Sequence, residues 1–170
     1  GVWRFPYLEA VVEIPVLRPD GTIFEDLGYD SRSCFYFDPG SLNFPKIPDS
    51  PTFEDATIAI NLLKEVFEDF PFEKEHHRSA ALAALLTVIG RSAIDGPTPL
   101  FAVTATVRGS GKSLLVDTIS TIVAGMDAPR WSQTDNNSEE RKRLLTLAIE
   151  GDRLVLIDNV SRNLSICASS

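Results

Sequence analysis

Two closely spaced glycines are followed by a lysine and a hydroxyl in the run Gly109-Ser110-Gly111-Lys112-Ser113. Glycines let a backbone turn its N–H groups inward, and such a loop holds phosphate oxygens. In the pattern G-x-x-x-x-G-K-S/T the lysine reaches the β- and γ-phosphates and the hydroxyl binds Mg²⁺. The first glycine of that pattern is replaced here by Thr106. The run therefore predicts a triphosphate-binding loop with one altered position.

The predicted loop extends from the end of the preceding strand into the first turn of the following helix. Its nine candidate nucleotide-binding residues are Thr106, Val107, Arg108, Gly109, Ser110, Gly111, Lys112, Ser113 and Leu114. Because Thr106 lies at the junction of strand and loop, farthest from the γ-phosphate, we expect it to lower affinity without abolishing the cradle. The alternative interpretation is a glycine-rich turn whose lysine is simply solvated.

A carboxylate at the end of a neighbouring strand would hold the Mg²⁺ of such a site. The run LVLIDN places Asp158 there, and Asn159 follows it. We expect Ser113 and Asp158 to bind the metal. The predicted catalytic residues are Lys112, Asp158 and Asn159. The alternative role for Asp158 is that of a buried cap at the end of the strand. Asn can orient a water but cannot accept its proton. Hydrolysis would then need a base from elsewhere, with Glu139 and Glu140 as candidates.

These residues need a strand before the loop and a helix after it, so that the helix N-terminus faces the phosphates. LFAVTA predicts a buried parallel strand directly before the loop. The expected elements are strands over 100–105, 129–133 and 153–158, a helix from 114 to about 125, and a helix capped by Ser138 that ends before Gly151. This order predicts an α/β fold with a parallel sheet over 97–170.

The first half of the chain has a different character. Residues 1–50 carry short β-rich runs between prolines, and VLRPDGTIF predicts a β-hairpin that turns at Pro19-Asp20-Gly21. Residues 44–51 form a proline-rich connector, and 51–96 predict a helical segment. Its first helix begins after Thr52 and stops before Pro71, and its second covers about 75–93.

Composition limits the class of protein. The chain has 170 residues, 44% hydrophobic content and a formal net charge of −8. Such an acidic domain is not expected to grip nucleic acid alone, although Arg141, Lys142 and Arg143 form a local basic run. Neither a signal peptide nor a transmembrane span is predicted. The two isolated cysteines indicate free thiols, so we expect a soluble, cytoplasmic chain without a membrane partner.

The spacing T-x-x-G-x-G-K-S together with LVLIDNV resembles the AAA+ or helicase-like P-loop ATPase modules of phage and mobile-element primase–helicase proteins. The looser similarity runs from about residue 8 to 160, and SRNLSICASS resembles none of the later elements, so we expect a module truncated after the Walker B strand. The resemblance implies that 97–170 form the incomplete parallel-sheet core of a P-loop NTPase (RecA/AAA+-like), with ATP and Mg²⁺ as cofactors. It also implies a homo-oligomer when full length, with a neighbour's arginine completing each site, and DNA as a partner of the complete protein.

Two other functions remain open from the sequence. A P-loop kinase would need a lid carrying arginines and an acceptor pocket. Beyond Ser113 the only candidate for such a lid is the run Arg141-Lys142-Arg143. An interaction domain with a vestigial loop and no ATPase activity is favoured by Thr106 and Asn159, which both depart from the usual pattern.

Overall fold

The computed structural model describes residues 4–107, 109–132 and 136–160. The described chain is a mixed α/β structure with three small sheets and four α-helices. Its strands are β1 (Ala10–Val12), β2 (Val16–Leu17), β3 (Ile23–Phe24), β4 (Gly28–Asp30), β5 (Phe35–Phe37), β6 (Arg130–Ser132) and β7 (Leu156–Asp158). Its helices are α1 (Phe53–Val66), α2 (Glu75–Ile89), α3 (Lys112–Ala124) and α4 (Asn137–Glu150).

The N-terminal segment is β-rich, as the sequence predicts. Strand β5 lies between β1, which runs parallel to it, and β4, which runs antiparallel. The predicted hairpin is confirmed, because β2 and β3 pair antiparallel with Val16 opposite Phe24. Four apolar side chains from these strands form a small core: Val12, Val16, Phe24 and Phe37.

Helix α1 begins where the sequence predicts. The Thr52 hydroxyl accepts a hydrogen bond from the Asp55 N–H at 3.2 Å, and the Asp55 carboxylate accepts one from the Thr52 N–H at 2.8 Å. This reciprocal capping box satisfies two backbone donors that a helix start leaves open. Helix α2 is shorter than predicted, because it stops at Gly90 and a 3-10 turn follows over Arg91–Ala93.

The main core joins three helices. Phe67 and Leu85 have no exposed surface, and they pack with the inner faces of α2 and α3. The buried members of this core are Phe67, Ala81, Ala84, Leu85, Val88, Leu115, Ile119 and Val123. Ile14, from the turn between β1 and β2, packs against the same cluster. Helix α3, which starts at the glycine-rich loop, is therefore anchored through its buried side.

The prediction of a buried strand over 100–105 is wrong. These six residues form no strand and are all exposed. In the described part of the chain the only parallel pairing of the C-terminal half joins β6 to β7, with Ser132 opposite Asp158. A strand exists only through hydrogen bonds to a neighbour, and no described strand pairs with residues 100–105. An apolar run cannot supply that partner by itself.

Smaller boundaries also differ from expectation. The predicted strand over 153–158 is reduced to β7, whose three residues are half-buried rather than fully enclosed. Asn136, not Ser138, caps α4, and its side-chain oxygen accepts from the N–H groups of Ser138 and Glu139. Among the described residues no helix is long and apolar enough to cross a membrane.

Candidate functional site

The glycine-rich loop takes a backbone shape that depends on its glycines. Gly109 and Gly111 have φ angles of +76° and +82°, in the left-handed region that side chains disfavour. Gly111 is also the N-cap of α3, and its carbonyl accepts the first helical hydrogen bond from Leu115 at 2.9 Å. The helix therefore starts at Lys112, two residues before the predicted start.

The start of α3 presents open donors. The first turn of any helix carries N–H groups without intrahelical partners, and no side chain caps this one. Lys112 and Ser113 lie in that turn and are half-buried. Within the described residues Lys112 makes neither an ion pair nor a hydrogen bond. A lysine and uncapped N–H groups at one helix end can together bind an anion.

The rest of the predicted loop is less uniform. Thr106 and Val107 are exposed, Leu114 is 61% exposed, and Arg108 lies outside the described residues. The Ser110 hydroxyl is buried and has no hydrogen-bond partner in the described part of the chain. Residues 109–113 thus lie together at the helix start, while Thr106, Val107 and Leu114 face solvent.

Asp158 lies at the end of β7, as predicted, and is half-buried. One of its oxygens accepts from the Asn159 N–H at 2.8 Å, and Asn159 itself adopts a φ of +54°. Among the described residues no hydrogen bond or ion pair connects Asp158 or Asn159 with the loop, and no cluster of three or more His, Cys, Asp or Glu side chains forms. The magnesium role of Ser113 and Asp158 stays a prediction.

An ion pair missed by the sequence analysis fixes α3 relative to β6. Both oxygens of Asp117 accept hydrogen bonds from Arg130, at 2.9 and 2.8 Å, and Asp117 also accepts from the Ala128 N–H at 3.3 Å. Because β6 pairs with β7, this contact links the helix that follows the loop to the strand that carries Asp158. Opposite charges on two elements were visible in the sequence, but nothing there showed that they meet.

The two candidate bases on α4 are both constrained. Glu139 pairs with Arg143 at 3.5 Å across one helical turn, and Glu140 is only 9% exposed. Arg143 also donates to the Ser132 carbonyl at 3.0 Å, so it holds α4 against β6. Among the described residues neither glutamate contacts the loop, and their role as a base stays a prediction.

No family model, curated protein sequence or solved structure matches this chain.

Proposed function

We propose that the chain binds Mg²⁺–ATP through the loop at 106–114 and is the nucleotide-binding module of a P-loop ATPase. The observation that carries the proposal is the pair of left-handed glycines at the start of α3, next to a lysine that pairs with none of the described residues. An αL glycine at a helix start turns the backbone so that successive N–H groups converge, and this concavity favours anions.

Each residue of the proposed site would have a separate task. The N–H groups from Gly109 to Ser113 would surround the phosphate oxygens, and Lys112 would neutralise the β- and γ-phosphates. Bound Mg²⁺ would supply charge stabilisation between those phosphates. Ser113 and Asp158 are the residues that would hold it, since hydroxyl and carboxylate oxygens are ligands that Mg²⁺ accepts.

The wider role follows from the resemblance of the two motifs to mobile-element primase–helicase proteins. We propose that the protein acts on DNA during replication as an oligomeric ATPase. Asn159 can orient the attacking water without taking its proton. Binding is therefore the activity proposed for this chain, and hydrolysis is proposed for the oligomer.

A P-loop kinase would need arginines in a lid, and the contacts of Arg143 do not favour that role. Arg143 is occupied by Glu139 and by the Ser132 carbonyl. The vestigial-loop alternative draws on the exposure of residues 100–107. It differs from the proposal in one measurable property, the affinity for ATP.

The test is the thermal midpoint with and without Mg²⁺–ATP. A ligand at a hundred times its Kd stabilises by about 2.7 kcal/mol, which for a domain of this size raises the midpoint by about 5–10 °C. We expect Lys112→Ala to lose this shift. Lys46→Ala is the matched control, because Lys46 is exposed in the connector before α1, and it should keep the shift. An unshifted parent at millimolar ATP would contradict the proposal and favour the vestigial loop.

A further inference from the structure

The turn between α1 and α2 lies against the glycine-rich loop. If Gly111 carried a Cβ atom, that atom would lie 3.9 Å from Cε1 of Phe70. Phe70 follows the end of α1 and is half-buried. An aromatic edge therefore lies on the Cβ side of the residue that caps α3.

Two further side chains continue this surface away from the loop. The rings of Phe70 and Phe72 have centroids 6.1 Å apart, and the guanidinium of Arg78 lies 6.0 Å from the Phe72 centroid. We call these three residues the aromatic wall. The wall runs from the Cβ side of Gly111 to a cation in the first turn of α2.

Among the described residues the charge of Arg78 meets the Phe72 ring and no carboxylate. Its Nε is buried without a hydrogen-bond partner, and the described residues give it no ion pair. It also lies near the N-terminus of α2, where the helix dipole disfavours cations. Glu75, one turn earlier, does not pair with it. A cation placed against local preference and left unpaired is typical of a functional position.

Core packing accounts for only part of the wall. Phe70 and Phe72 do pack against the main core, which explains their partial burial. It does not explain why an arginine lies on the outer ring, or why the buried Ser110 hydroxyl beside Gly111 lacks a partner. Two unpaired polar groups thus flank the rings, one on the loop and one on α2.

We infer that the aromatic wall binds the nucleoside part of a nucleotide whose phosphates lie in the loop. The rings of Phe70 and Phe72 would contact the flat base, and the Arg78 guanidinium would donate to acceptor oxygens or nitrogens of the base or sugar. Aromatic and guanidinium groups both bind a π face favourably. The inference rests on the proposed function and makes the ligand a nucleoside triphosphate rather than any triphosphate.

The test compares Mg²⁺–ATP with Mg²⁺–tripolyphosphate by isothermal titration of the whole chain. Base–aromatic contacts are worth about 1–3 kcal/mol, so we expect ATP to bind the parent about 5- to 150-fold more tightly than tripolyphosphate. Phe72→Leu and Arg78→Met should bring ATP affinity down towards that of tripolyphosphate and leave tripolyphosphate affinity unchanged. Arg4→Met, at an exposed arginine near the N-terminus, is the control and should behave as the parent.

The outcomes separate the two proposals. Equal affinity of the parent for both ligands would overturn the aromatic wall and leave the loop proposal standing. Variants that lose both ligands equally would also overturn it, since the wall would then act only through the shape of the loop. A parent that binds neither ligand would overturn both proposals. Thermal midpoints without ligand show that each variant is folded.

Discussion

Gly111 combines two properties that are rarely needed in the same residue. It has a left-handed backbone with φ of +82°, and it is the N-cap from which α3 starts. A Cβ atom there would make only an ordinary contact with Phe70, at 3.9 Å. The requirement for glycine is therefore set by backbone conformation and not by space.

Gly111→Ala tests this requirement. A left-handed conformation costs a residue with a Cβ about 1–2 kcal/mol, so we expect the free energy of unfolding to fall by about that amount. If the strained backbone relaxes, the N–H groups turn away from the phosphates and ATP affinity falls as well. Urea unfolding and ATP titration measure the two effects.

Gly96→Ala is the control for that variant. Gly96 has a φ of +93° with open space around it, so it carries the same kind of strain. It should lose stability and keep ATP affinity. An equal loss of ATP affinity in both variants would contradict a specific role for Gly111.

At the scale of elements, the β-rich segment is fastened by a largely buried ion pair. Arg18 Nε lies 3.0 Å from Asp30 Oδ2, and the two side chains are 12% and 11% exposed. Ser33 donates to the same oxygen through its N–H and its hydroxyl. The hydrogen bond from Arg18, with those from Ser33, holds the pKa of Asp30 well below its usual range against the opposing effect of burial.

This depressed pKa predicts how stability depends on pH. A carboxylate with a lower pKa in the folded state stabilises fully above its unfolded value, about 3.9, and loses that contribution as pH falls below it. Asp30→Asn should lower the free energy of unfolding at pH 7 by about 1.5–3 kcal/mol, the worth of hydrogen bonds to a charged group. The substitution should also reduce the loss of unfolding free energy that the parent shows between pH 5 and pH 2.

Urea unfolding at several pH values measures both effects. Asp26→Asn, at an exposed aspartate of the same segment, is the control and should keep the parent's pH dependence. A steep acid loss that persists unchanged in Asp30→Asn would place the sensitive carboxylate elsewhere.

At the scale of the whole molecule, one core supports both the helices and the loop. Leu85 of α2 has no exposed surface, and the same cluster contains Leu115 and Ile119 of α3. The Asp117–Arg130 pair then extends this support from α3 to β6. The start of α3 is therefore positioned by contacts from elements far away in the sequence.

Leu85→Ala tests how much this core contributes. Removing a buried leucine side chain costs about 2–5 kcal/mol through lost burial and the cavity left behind. We expect that loss in urea unfolding, with little change in the ATP affinity of the remaining folded protein. Leu62→Ala, at a position 58% exposed on α1, should cost far less. Equal costs would show that α1, α2 and α3 do not share a tightly packed core.

Some features of this protein are determined by the sequence alone, because they depend on neighbouring residues. The hairpin at β2 and β3 follows from its turn, and the start of α1 follows from the Thr52–Asp55 capping box. The glycines at 109 and 111 could be read directly as positions that need a left-handed backbone. The cap of α4 lies at Asn136, two residues before the predicted Ser138, and local patterns do not fix a helix start that closely.

Other features were decided only by tertiary structure, because each depends on a partner distant in sequence. An apolar run at 100–105 predicts a strand, yet strand formation requires hydrogen bonds from a neighbour that the described chain does not provide. The Asp117–Arg130 pair and the placement of Phe70 on the Cβ side of Gly111 likewise join elements whose packing no local pattern encodes. The glycine-rich loop at a helix start could therefore be predicted from the sequence, whereas the surface beside it became visible only once the helices were packed together.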